Sequence, residues 1–272
     1  MIYSFGDSFT AGLGVDRLYE NSQLGEHPDW DTMTNEQKNI QRSKVERFRH
    51  ENSYTAFFAR KLNVGYLNNG LSGCSNIDIL NSIFELDNSF KQGDIVLVGF
   101  TSSLRNPISF FPRKFSETEF KLAPNLDVLK DFTELKVNEK MKEFYTEESM
   151  SFFQEYSKFY LTEMFDEQYY EIVNYNIIVF LQKYFEYKKV NYIMLDAFDY
   201  MVNKKYEHIN QKYYWNFNKE TIYSYTASFN DEGLLETEGY NPYNQTPRHP
   251  STEGHKLFAE DLHKFYKKVY NG

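Results

Sequence analysis

The order of apolar and polar positions predicts alternating strands and helices. Ile2 to Phe5 is a short apolar run that stops at Gly6, which predicts a buried first strand. From Ser53, a residue suited to a helix N-cap, apolar positions Tyr54, Phe57, Phe58 and Leu62 recur every three or four residues, as on one helix face. Val64 to Asn68 predicts a second strand, followed by the turn-prone Asn69, Gly70, Ser72 and Gly73. Ile77, Leu80, Ile83 and Phe84 share a face of a helix predicted over 76–86. The run Asp94 to Phe100, DIVLVGF, is the clearest strand, and its unbroken apolar character suits burial on both faces of a parallel sheet. A long helix over about 151–188 with a break near Asp166, a strand Val190 to Ala197, and an amphipathic helix over 253–270 follow. The stretches 15–52, apart from a helical segment at about 35–48, 104–150 and 200–245 have no convincing period. Strands that alternate with helices predict an α/β architecture with a mostly parallel sheet. We read residues 1–272 as one domain with insertions at about 15–52 and 104–150.

Composition narrows the function classes. The chain is long enough for one α/β domain to bury a full core without a metal or disulfide staple. A net charge of −9 argues against an extended nucleic-acid footprint, which needs clustered Lys and Arg. No stretch approaches the ~20 apolar residues of a membrane span. The start, MIYSFGDSFT, has neither a basic region nor an unbroken apolar one, so no signal peptide and a cytoplasmic location are expected. Cys74 is the single cysteine, which excludes an internal disulfide or a multi-cysteine metal site. The 25 Phe and 23 Tyr would suit a sugar-binding groove, although a chain also rich in Asn and Lys more often reflects codon bias.

Candidate chemistry lies at the two ends. Gly6-Asp7-Ser8-Phe9-Thr10 directly follows the first strand, so Ser8 falls at the carboxyl end of a buried strand, where open α/β sheets bind ligands. It is not a G-x-S-x-G elbow, because Thr10 replaces the second glycine, and a serine capping the next helix would look alike. At the other end, His249-Pro250 opens the last helix. Pro250 suits the first helical position and leaves His249 on the preceding loop. A hydroxyl becomes a nucleophile when a base takes its proton, and neutral imidazole is matched to that task. His255 reads as packing rather than a zinc ligand, because no third ligand or H-E-x-x-H accompanies it. Cys74 reads as inert, and Asp7 as a turn or network residue. Gly12 and Gly14 make no phosphate loop, because no G-K-[ST] follows them.

Together these stretches resemble the SGNH (GDSL-type) hydrolase family. GDSFT resembles its first block, with Ser8 as nucleophile, and the RHPSTEGHKLFA stretch resembles its last, with His249 as general base. Asn69-Gly70-Leu71-Ser72-Gly73 resembles its N-x-G-x-S-G stretch, which assigns an oxyanion-donating N–H to Gly73. Val98-Gly99-Phe100-Thr101-Ser102 falls where the family has G-x-N-D. The chain departs from the pattern at Thr101, in place of the oxyanion-hole asparagine, at Ser102, in place of the aspartate after it, and at Thr246, in place of the triad acid. The resemblance implies a flavodoxin-like three-layer sandwich with about five parallel strands. It also implies an oxyanion hole of Ser8, Gly73 and the Thr101 hydroxyl, and no cofactor or metal. Without an acid at 246, either a backbone carbonyl orients His249 or an acid from the Asp231, Glu232, Glu236 and Glu238 region does. The implied reaction is removal of a small acyl group, such as acetyl, from a small-molecule or glycan ester. A non-catalytic binding module on a degenerate scaffold and an acyltransferase are the alternatives.

Overall fold

A computed structural model describes residues 1–15, 33–102, 105, 151, 154–156, 158–202, 207–229 and 249–271. The strands are β1 (Ile2–Gly6), β2 (Tyr66–Gly70), β3 (Ile95–Phe100) and β4 (Asn191–Asp196). Among the described residues they form one parallel sheet of four strands in the order β2-β1-β3-β4, against the expected five or so. This is the flavodoxin-like order, with its switch point between β1 and β3. The helices are α1 (Ser8–Ala11), α2 (Asn35–Glu51), α3 (Tyr54–Leu62), α4 (Asn76–Glu85), α5 (Glu167–Lys188), α6 (Ile222–Ala227) and α7 (Thr252–Tyr270).

Alternation along the strands divides the core into two layers. Tyr3, Phe5, Val96, Val98, Tyr192 and Met194 share one face with Ile79 and Ile83 of α4 and Ile178, Leu181 and Phe185 of α5. Ile2, Ile95, Leu97, Ile193 and Leu195 share the other with Tyr54 and Phe58 of α3 and Phe258 and Leu262 of α7. Because successive side chains of a strand point to opposite faces, an unbroken apolar run such as β3 feeds both layers at once.

The predicted elements match with shifts that have physical causes. Val64 is exposed and β2 starts at Tyr66 rather than 64, because Asn63 takes a left-handed C-cap (φ 54°) and the chain needs the next residues to turn. The predicted break near Asp166 is the N-cap of α5, whose side chain accepts from the Gln168 N–H, with a single wide turn at Tyr160–Met164 before it. Pro250 is not the first residue of α7. Ser251 caps that helix by accepting from the Gly254 N–H, so the helix begins at Thr252. The helical stretch within 15–52 is α2, which Thr34 caps. The rest of that insertion before residue 33, and 104–150 apart from Arg105, lie outside the described residues.

Glycines set the height at which α1 sits on the sheet. Gly6 pairs in register with Gly70 on one side and Gly99 on the other. A Cβ at Gly70 would lie 2.2 Å from the Ala11 nitrogen, and one at Gly6 would lie 2.7 Å from the Gly99 carbonyl oxygen. The three bare backbones let the turn after β1 bed down on the carboxyl edge of the sheet.

Candidate active site

The turn after β1 is built around Asp7. Its carboxylate caps α1 by accepting from the Phe9 N–H at 3.0 Å, which points Ser8 out of the first helical turn. Gly12 closes that turn in the left-handed conformation. From the other end of the chain, His249 reaches the same edge, with Nε2 2.8 Å from Ser8 Oγ. The Phe9 ring lies 4.9 Å from the imidazole and holds it from one side. Gly14, which the sequence reading set aside, matters here for its backbone. At φ +96° it lies so close to the histidine loop that a Cβ would come 2.9 Å from His249 Cβ and 2.5 Å from the Pro250 carbonyl oxygen.

The other expected residues converge on this edge, but one does different work. Gly73 sits in the turn after β2 at φ 78°, and neither its N–H nor that of Ser8 donates to an acceptor among the described residues. Thr101 follows β3, fully buried, and its hydroxyl was expected to serve the oxyanion. In the structure the Thr101 O–H donates to Asp7 Oδ2 at 2.7 Å, a buried carboxylate being the strongest acceptor within reach. Two further residues join this network that sequence reasoning did not find. Asn76 clasps the loop after β3, accepting from the Thr101 N–H at 3.0 Å and donating to the Thr101 carbonyl at 3.3 Å. Arg105 donates from Nη1 to Thr101 Oγ1 at 3.2 Å and stands 3.6 Å from Asp7 Oδ2. A sequence signal for Asn76 existed in the Ser75 capping box directly before it, whereas nothing local marks Arg105.

Electrostatics separates the groups. Asp7 is fully buried, which raises its carboxyl above the usual range, while the Thr101 hydroxyl, the Arg105 charge and the Phe9 N–H all favour the ionised form. Cys74 is buried, and burial pushes its thiol up, with the negative charge of Asp7 adding to the effect, so it carries no thiolate at this edge. His255 is buried in α7. Its Nδ1 accepts from the Tyr54 N–H at 3.2 Å, and its ring stacks on that of Tyr54. The described residues contain no group of His, Cys, Asp and Glu able to hold a metal ion. No helix among them is long and apolar enough to cross a membrane. Thr246 and the acids Asp231, Glu232, Glu236 and Glu238 lie outside the described residues.

No known family profile matches the chain, and no curated protein does. Two solved structures are similar to it. One is a protein assigned as lipolytic, of the G-D-S-L family, from Desulfitobacterium hafniense DCB-2, with 17% identity over 97% of this chain and 98% of that one and a TM-score of 0.30. The other is a carbohydrate esterase whose active site displays divergent catalytic and non-catalytic binding functions, with 14% identity and a TM-score of 0.37. The match covers 98% of this chain but 64% of that one. Superpositions this loose carry no weight beside the chain's own geometry, in which Ser8 and Thr101 flank the switch point and His249 meets Ser8 from the far end. By strand order the chain has a flavodoxin-like α/β fold, and its four resembling blocks gather at one sheet edge.

Proposed function

We propose that this chain is a serine esterase that removes a small acyl group, acetyl for preference, from a carbohydrate ester. The observation that carries this reading is the 2.8 Å contact between His249 Nε2 and Ser8 Oγ. With its ring proton on Nδ1, His249 accepts the Ser8 proton at Nε2 as Oγ bonds to the ester carbonyl carbon. The carbonyl electron pair becomes an oxyanion held by the N–H groups of Ser8 and Gly73. When the tetrahedral intermediate collapses, the bond to the leaving alcohol breaks and His249 returns the proton to its oxygen. Water then attacks the acyl-enzyme with His249 again as base, which releases the acid and restores Ser8.

The carbohydrate part of the proposal draws support from rings beside the dyad. Phe198, 37% exposed, follows β4, with its ring 6.2 Å from that of Phe9 and 5.3 Å from that of Tyr223. These rings extend an aromatic wall from His249 toward solvent, a surface on which the C–H face of a sugar can lie. The test is hydrolysis of p-nitrophenyl acetate and of acetylated sugars by the protein, Ser8→Ala and His249→Ala. Each substitution is expected to lower kcat/KM by at least about 10³-fold. Turnover that survives Ser8→Ala would refute the mechanism. Cleavage of long-chain esters with no acetate released from any acetylated sugar would overturn the substrate class alone.

A further inference from the structure

Helix α5 is apolar on two sides. Ile177, Ile178, Leu181 and Phe185 face the sheet and its core layer, as one side of such a helix should. The side turned away from the sheet should then be polar. Instead it presents Tyr169, Ile172, Phe180 and Tyr187, which are 58%, 51%, 50% and 81% exposed. Together with Asn176 and Lys183 these residues follow steps of three and four, so they form one line along the helix. From Tyr169 to Tyr187 that line runs five turns, about 27 Å. Its one charge, Lys183, is held in an exposed pair with Glu186 at 2.9 Å. Phe84 of α4 widens the line, with its ring 5.7 Å from that of Phe180. A helix that is apolar all round is ordinarily covered on every side.

We propose that this face of α5 is the seam of a two-fold dimer, in which the same line of a second copy runs antiparallel to it. The area is sufficient. At about 150–250 Å² for a whole aromatic side chain, the four exposed side chains leave roughly 450 Å² open on each copy. A pair covers about 900 Å² from these four alone, and Asn176, Lys183 and Phe84 carry it past the ~1,000 Å² that a specific interface needs. The order of residues is also self-complementary about Asn176, as a two-fold axis requires. Ile172 and Phe180 stand four residues to either side of it, so each meets the other on the second copy. Tyr169 and Lys183 stand seven residues to either side, which sets an ammonium over a ring at both ends. Asn176 meets itself, and a carboxamide can donate and accept at once. Tyr187 reaches the turn before α5, where Met164 is exposed.

The experiment measures the sedimentation mass of the whole chain over a wide range of concentration, for the parent, Asn176→Lys, Phe180→Glu and Ile40→Glu. Ile40 is as exposed as Ile172 but lies on α2, which packs against α3 on the far side of the sheet. The parent should reach twice the mass of one chain as concentration rises. Asn176→Lys sets two like charges together at the axis, and Phe180→Glu buries two carboxylates. Each should weaken the dimer at least about tenfold, while Ile40→Glu leaves it unchanged. Asn176→Lys does not touch the packing of Phe180 on Phe84, so it decides the matter if Phe180→Glu does not fold. A second readout is specific to position. Oxidation of Asn176→Cys by copper phenanthroline should join two copies through a disulfide at the axis, faster than it joins Ile40→Cys. The native Cys74 is buried and takes no part. A chain that keeps its single mass at every concentration overturns the proposal. If Tyr169 and Tyr187 of that monomer also resist nitration, the stretch 106–150 of the same chain covers the face instead. A dimer that survives both substitutions at full strength overturns α5 as its seam.

Discussion

Two carboxylates, Asp7 after β1 and Asp196 at the end of β4, lie at the same edge of the sheet, and both are buried. Their surroundings differ in kind. Asp7 receives the Phe9 N–H, the Thr101 hydroxyl and the Arg105 charge, all of which favour the ionised form against burial. Among the described residues Asp196 accepts from two neutral donors, the Tyr214 hydroxyl at 2.6 Å and the Met201 N–H at 3.1 Å, and the nearby Asp199 adds negative charge. Burial is the largest cause at both and raises both carboxyls, that of Asp196 to about 7. Beside the Ser8–His249 contact the fold supplies a cation with the carboxylate. At β4, facing the core of Phe100 and Tyr214, no cation pairs with Asp196 among the described residues. A buried acid can thus be part of a charged network or a polar core residue, and which one depends on what the neighbouring loop brings in.

Removing the side chain of Asp7 should give the largest effect. Asp7→Ala takes away the α1 cap, leaves the Thr101 hydroxyl without its carboxylate acceptor and removes the negative charge 3.6 Å from Arg105 Nη1. A lost cap costs about 1 kcal/mol and an unsatisfied buried donor about 1–3 kcal/mol, so urea unfolding should show a loss of about 2–4 kcal/mol. The proposed esterase activity should fall more than about tenfold even where the variant is folded, because the cap that positions Ser8 is gone. Asp7→Asn keeps an acceptor for the Phe9 N–H and should recover most of the stability but not the activity. Full activity in Asp7→Asn would show that the charge on this carboxylate is irrelevant to the site.

Part of this contrast is visible in the sequence and part is not. The apolar runs of β1, β3 and β4 reveal the parallel sheet, because strands covered on both faces need apolar residues at every position. The edge strand β2, with Leu67 exposed, has a weaker pattern, and its position was misplaced by two residues. Ser8 and His249 are legible because each sits in a short local motif at a strand end or a helix start. The destination of the Thr101 hydroxyl is not legible, since it depends on a carboxylate 94 residues away in sequence. Arg105 is hidden for the same reason: its meaning comes from Asp7 and Thr101 in space, and its neighbours along the chain form no pattern. Gly14 looked like a spare glycine until its backbone was seen against His249 and Pro250.

Asp196 offers a cleaner substitution, because both of its hydrogen bonds fall on Oδ1, and the Oδ1 of an asparagine can accept both. Its folded-state carboxyl titrates near 7, above the 3.8 of an unperturbed aspartate. Between those values the unfolded chain releases a proton that the folded protein keeps, so stability falls as pH rises from about 3.8 to 7 and levels off above. Asp196→Asn removes this slope. It should match the parent near pH 4 and exceed it by about 2–4 kcal/mol at pH 8, with esterase activity unchanged. Parallel stability curves for the two proteins across that range would mean that Asp196 is ionised in the fold.

The smallest effect, and the one of opposite sign, belongs to His255 on the helix that follows the histidine loop. Burial, opposed by the Leu13 carbonyl and aided by the neighbouring His249, lowers its imidazole to about 3. Here the unfolded chain takes up a proton below about 6.5 that the folded protein refuses, so stability is complete above 6.5 and is lost as pH falls toward 3. His255→Asn keeps an acceptor at the position of Nδ1 for the Tyr54 N–H but leaves part of the ring volume empty. At pH 7 it should be less stable by about 1–2 kcal/mol, a packing loss, and the deficit should vanish between about pH 6 and 5 and be reversed at pH 4.5 as the parent loses stability and the variant does not. Thermal melts at the two pH values are enough to decide. A deficit that stays constant would show that His255 accepts a proton without disturbing its place against Tyr54. In that case α7 would hold the His249 loop by apolar packing alone, through Phe258 and Leu262 against α3 and the sheet.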